Sequence, residues 1–164
     1  MLRKEAYESL VEDPAATVQA LIIVVLAALS MGVGWIGQDS IVLRLVLWVV
    51  VSVTKWFIWS FMAYTVGSSF LRSSNNDANW KQLARTIGFS YTPGILMGFA
   101  FVLGIRRVAF VVTQIWQLIA AIMAVQVTLG YNSELRAAGV VILSYIPAIL
   151  LGDLIAKLLD AVFL

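Results

Sequence analysis

Long apolar runs joined by short polar links set the pattern of this chain. Five runs, at about 15–35, 41–66, 83–104, 108–129 and 138–164, each hold at least 20 residues that are mostly apolar. At ~1.5 Å of rise per residue, 20 residues match a hydrocarbon core of ~30 Å, so each run predicts a transmembrane helix. The links "IGQDS" and "IRR" are short enough to force antiparallel neighbours. The longest polar link, "GSSFLRSSNNDANWKQLART", contains a turn cluster, "SSNND", suited to capping a helix. After it, Trp80, Leu83, Ala84 and Ile87 share one face and predict a short surface helix leading into the third span.

Ahead of the first span the pattern changes. Leu2, Ala6 and Leu10, with Tyr7 and Val11, recur at helical spacing among charged residues that include Arg3 and Lys4. The segment is too short and polar to span, so 2–12 reads as an amphipathic helix lying in the interface. Asp13 can cap the helix that follows, and Pro14 suits its first position, where no backbone donor is needed. The expected fold is all-α: one membrane domain over 1–164, with five transmembrane helices and a short amino-terminal interfacial helix.

Two spans carry the same interruption. "FSYTPGILMG" begins at Phe89 and "LSYIPAILLG" at Leu143. Pro93 and Pro147 each remove a donor and free the carbonyl four residues back, Phe89 or Leu143, for a nearby serine, tyrosine or neighbouring helix. Gly94 follows the first proline and Ala148 the second, which predicts the sharper bend in the third helix.

Composition narrows the class further. Apolar residues make up 62% of the 164 and charged residues 12%, against about half and a quarter in soluble domains. An integral membrane protein follows. Cysteine and histidine are both absent, which removes thiolate and imidazole chemistry and the usual soft metal ligands. No cofactor is implied. The net charge is +2 and no basic run exceeds two residues, which excludes a nucleic-acid footprint. Arg3, Lys4, Arg72, Lys81, Arg85 and Arg136 gather on the amino-terminal face, against Arg44, Arg106, Arg107 and Lys157 on the other. The excess places the amino terminus in the cytoplasm and the carboxyl terminus outside.

Within the spans, Lys55 stands near mid-depth of the second and Asp153 near the middle of the fifth. An ionisable residue inside a membrane needs a partner or a function, and these two antiparallel spans offer each to the other. Asp153 and Lys157 are also spaced four apart in acid-before-base order, with Asp160 beyond them. Gln114 and Gln117 share a face of the fourth span and suit hydrogen bonds between helices. Trp56 and Trp59 flank the turn of Lys55 and could shield it, and Ser52 lies three residues before it.

The segments "YESLVEDPAATVQALIIVVLAAL" (7–29), "KQLARTIGFSYTPGILMG" (81–98) and "QIWQLIAAIMAVQVTLGYNSELRAAGVVIL" (114–143), in this order and spacing, resemble the Yip family of Ypt/Rab-interacting integral membrane proteins, particularly its bacterial members. The resemblance implies a five-span helical protein of the bacterial inner membrane with a cytoplasmic amino terminus. Together with the interfacial helix and the small loops, it leads to the expectation of a non-enzymatic scaffold that organises membranes, oligomerises with itself and binds lipid or a second membrane protein. Eukaryotic relatives associate with small GTPases. Only about fourteen residues precede the first span here, which argues against GTPase binding. The alternative is a small transporter, channel or lipid scramblase built on Lys55, Asp153 and the proline-interrupted helices.

Overall fold

A computed structural model describes residues 4–35, 41–69, 78–102 and 105–163, with backbone alone at 33–35, 100–102, 106, 160 and 163. Every element among them is helical. In order these are α1 (Lys4–Glu12), α2 (Ala16–Trp35), α3 (Ile41–Ser69), α4 (Trp80–Phe89), a 3-10 turn (Thr92–Leu96), α5 (Met97–Val102), α6 (Arg106–Thr128) and α7 (Glu134–Phe163). The amphipathic segment forms α1, with Tyr7 on its buried face. The axis then turns by 119° into α2. Asp13 Oδ1 accepts the Ala15 amide at 2.8 Å through this turn, where Pro14 has no amide to satisfy.

Among the described residues, three to four candidate spans are found rather than the expected five. Three helices, α3, α6 and α7, are long and apolar enough to cross a membrane, or four if the bent α1–α2 pair counts as one span. The expected third span, 83–104, is broken into α4, the 3-10 turn and α5. Pro93 cannot donate to Phe89, and the hydroxyl of Thr92 takes that carbonyl at 2.6 Å. Gly94 N–H turns back to Tyr91 O at 2.8 Å. A side-chain hydroxyl that competes for a helix carbonyl, followed by a glycine, lets the backbone leave the helix. Pro147 lies inside continuous α7. Nor is α4 a surface helix. It is held by an Asn79–Gln82 capping box, and it buries Leu83, Ala84, Arg85, Thr86, Ile87 and Gly88.

The packing is inside-out relative to a soluble bundle. Large apolar side chains such as Ile22, Val42, Phe57, Ile115, Leu150 and Leu158 point outward, while Ala20, Ala63, Ala121, Ala124, Ala137, Ser60, Thr86 and Ser144 are buried. Lipid is as apolar as leucine, so helix contacts rest on close approach and hydrogen bonds. The α3–α7 pairing is the most extensive. Trp59 Nε1–H donates to Ser144 Oγ across it at 3.1 Å, and Trp56 Nε1–H donates to Ala84 O on α4 at 2.9 Å. A Cβ on Gly88 would lie 2.7 Å from Ala20 Cβ, so α2 and α4 nearly touch. Past the end of α6 and its cap residue Leu129, Gly130 has φ 62. The Tyr131 amide bonds to Gln126 O and the Gly130 amide to Val127 O, a Schellman closure that needs the left-handed residue. Tyr131 then donates its hydroxyl to Gly67 O at 3.0 Å, and burial raises the pKa of this phenol above its ordinary value.

Candidate functional site

Lys55 sits at the centre of α3, fourteen residues from either end. The Trp59–Ser144 bond fixes the register of α3 against α7 one turn away. From that level Asp153 is nine residues along α7, ~14 Å, while Lys55 is only four residues along α3, ~6 Å. The lysine stem closes the difference. It lies across Gly152, where a Cβ would collide with Lys55 Cγ, Cδ and Cε, and its ammonium reaches Asp153 Oδ1 at 3.2 Å. The sequence reading expects Lys55 at mid-depth, and its backbone is central in α3. The stem carries its charge along α7 to Asp153, away from the amino-terminal face.

The pair forms one wall of a cavity of about 190 Å³. Ser52, Gln114, Gln117, Tyr91 and Tyr145 supply its other polar groups, and Met31, Trp48, Phe110 and Ile149 its apolar ones. Gln114 donates Nε2–H to Tyr145 Oη at 3.1 Å. Gln117 is buried beside Tyr91. The indole of Trp59 lies 4.8 Å from the Tyr145 ring centroid and 6.0 Å from that of Tyr91, making an aromatic floor. Lys55 and Asp153 mark the mouth, since their side chains are 31% and 59% exposed. A carboxylate so exposed within a span is tolerable where water reaches it. Beneath the floor, Ala63, Leu83, Ile87 and Val125 are fully buried. The cavity is thus a vestibule in the half of the bundle away from the amino terminus. It is smaller than the ~300–1,000 Å³ of drug-sized sites, and large enough for several waters or a small solute.

The remaining expected site residues lie elsewhere. Lys157 is exposed on α7 and forms no ion pair with Asp153 among the described residues; the long-range partner displaced the local one. The Asp160 side chain and all of Arg3 lie outside the described residues. Lys4 is exposed on α1. No hydrogen bond links Ser52 to Lys55 among the described residues, as the ammonium is turned toward Asp153. Pro93 helps line a second cavity, apolar and about 520 Å³, beneath α1 with Tyr7, Leu10, Phe89, Leu96 and Trp116.

Gly152, Tyr91 and Tyr145 are site residues that sequence reasoning passed over. The closing glycine of "SYIPAILLG" was the available signal, because small residues mark close approach. Gly152→Val is expected to push the Lys55 stem off its shelf and to destabilise the protein by about 1–3 kcal/mol, the range for overpacking. Thermal unfolding of single and double variants checks this. In a Lys55→Ala background, where the stem is gone, the cost should shrink below additivity.

A family model described as Yip1 domain matches residues 3–154. No curated protein and no solved structure matches the chain.

Proposed function

The chain belongs to the Yip1 domain family, and from that premise we propose that it is a non-enzymatic multi-pass membrane protein that admits a small polar solute or headgroup to the Lys55–Asp153 vestibule. This is activity of the transporter or lipid-scramblase class. The observation that supports it is the vestibule itself. A pair retained only for packing would be dry, whereas this one borders a cavity with two amides, two phenols and a hydroxyl. The interrupted segment reaches the cavity through Tyr91, immediately before the 3-10 turn. Discontinuous helices beside polar sites are a recurring basis of transport. With the amino-terminal face cytoplasmic in a bacterial inner membrane, the mouth opens outside.

The absence of cysteine allows a direct test. Ser52→Cys, the single thiol of its variant, should react with a membrane-impermeant reagent from the mouth side. An unreactive thiol in folded protein would remove the reading. In proteoliposomes, Lys55→Ala and Asp153→Ala are each expected to lower solute or labelled-lipid flux at least tenfold, the effect of about 1.4 kcal/mol at a rate-limiting site. The second reading is a membrane-organising homo-oligomer, supported by the 119° turn that lays α1 across the bundle. Liposome reshaping with no flux in the native chain would favour it.

A further inference from the structure

The vestibule presents two opposite charges that are only partly engaged with each other. Among the described residues, Lys55 Nζ is bonded to Asp153 Oδ1 alone, at 3.2 Å. An ammonium has three donors and a carboxylate two acceptor oxygens, so two N–H groups and Oδ2 have no hydrogen-bond partner among the described residues. The pair is net neutral. A bare cation drawn to Asp153 would meet the Lys55 ammonium, and a bare anion drawn to Lys55 would meet the carboxylate. At ~4 Å such like-charge contacts cost about as much as the attraction gains. A ligand that carries both charges avoids this, by lying antiparallel to the pair with each end on its complement.

We propose that the vestibule binds a small zwitterion, its anionic group on Lys55 and its ammonium on Asp153, with the Gln114–Tyr145 hydrogen-bonded pair along its flank. This rests on the reading of the cavity as an accessible vestibule. The cavity's 190 Å³ suits a molecule with one charged group at each end of a short linker. A free amino acid and the phosphoethanolamine headgroup of a lipid share this chemistry.

The test uses the full chain in a detergent without charged headgroups, with binding read by calorimetry and by the shift in thermal unfolding. β-Alanine and O-phosphoethanolamine are the ligands that carry both charges, and ethanolamine and inorganic phosphate the controls that carry charge of one sign only. Saturable binding of the zwitterions, at least tenfold tighter than either control and lost in both Lys55→Met and Asp153→Asn, is the expected result. Exchanging the charges with Lys55→Asp and Asp153→Lys together provides a variant that keeps a pair. A free zwitterion can reverse its direction and should still bind. A headgroup held by its acyl chains cannot, so retention of phosphatidylethanolamine by the native chain and its loss in the exchanged variant, read by native mass spectrometry, would identify the lipid as the source. Ethanolamine or phosphate binding as tightly as the zwitterions would overturn the proposal and leave the vestibule standing. So would a reactive Ser52→Cys thiol in a chain that binds no zwitterion. An unreactive thiol would remove both.

Discussion

Trp59→Ala is expected to lower stability by about 3 kcal/mol, the lower end of the range for truncating a buried tryptophan. The lower end applies because part of that range in soluble proteins is transfer from water, a term that fades where the alternative surroundings are lipid. What remains is packing and the hydrogen bond. The indole is 1% exposed, donates to Ser144 Oγ, and packs edge-on against Tyr91 and tilted against Tyr145. It therefore joins α3, α7 and the segment between α4 and the 3-10 turn while closing the vestibule floor. Trp59→Phe keeps most of the ring volume and removes the donor, so it should cost only about 1 kcal/mol. Equilibrium unfolding in detergent separates the two. The alanine variant should also increase the reactivity of a thiol at Ala63, now screened by the floor. A loss below 1 kcal/mol for Trp59→Ala would mean that the α3–α7 seam does not depend on this side chain.

The paired motifs show what a sequence can and cannot disclose here. "SYTPGIL" and "SYIPAIL" share the proline, yet one helix breaks and the other continues. Hydropathy averaged over a window sees two equal spans. The difference lies in the neighbours. Thr92 supplies a hydroxyl to the freed carbonyl and Gly94 tolerates the departure, whereas Ile146 and Ala148 offer neither. Gly94 and Ala148 are visible and predict a sharper bend in the third helix, but reading a full break requires knowing that α2 comes close. A Cβ on Gly94 would sit 3.1 Å from Ala27 Cβ. The meeting of Lys55 with Asp153 could be read from antiparallel spans and opposite charge. The i, i+4 spacing of Asp153 and Lys157 pointed just as clearly to a pair that is not made. Local spacing describes what a helix offers, and tertiary register decides what is taken. Gly152, Tyr91 and Tyr145 stayed hidden for that reason, since each acts through a residue on another helix.

Arg85→Leu should free α1 from the bundle, raising its local opening equilibrium roughly 30- to 150-fold, equivalent to about 2–3 kcal/mol for hydrogen bonds from a charged donor. The side chain is 9% exposed. Its Nη1 donates to Val11 O at 3.2 Å and to Asp13 O at 3.0 Å, so a guanidinium on α4 gathers the carbonyls at the end of α1 and the turn into α2. Those carbonyls sit where a helix exposes unsatisfied acceptors and partial negative charge, so a cation suits the place. Its Nε is buried without a partner among the described residues, an arrangement that costs stability and is offset by the two carbonyl contacts. Arg85→Lys should recover part of the effect, since an ammonium keeps the charge and loses the planar fork. Hydrogen exchange over residues 4–13 and protease cleavage between α1 and α2 measure the opening. Exchange at α7 serves as the internal control, because α7 packs against α3 and α6 and should stay protected while α1 opens. Equal acceleration in both would mean that Arg85 supports the whole bundle, and no acceleration in α1 would remove its role as the clasp of that helix.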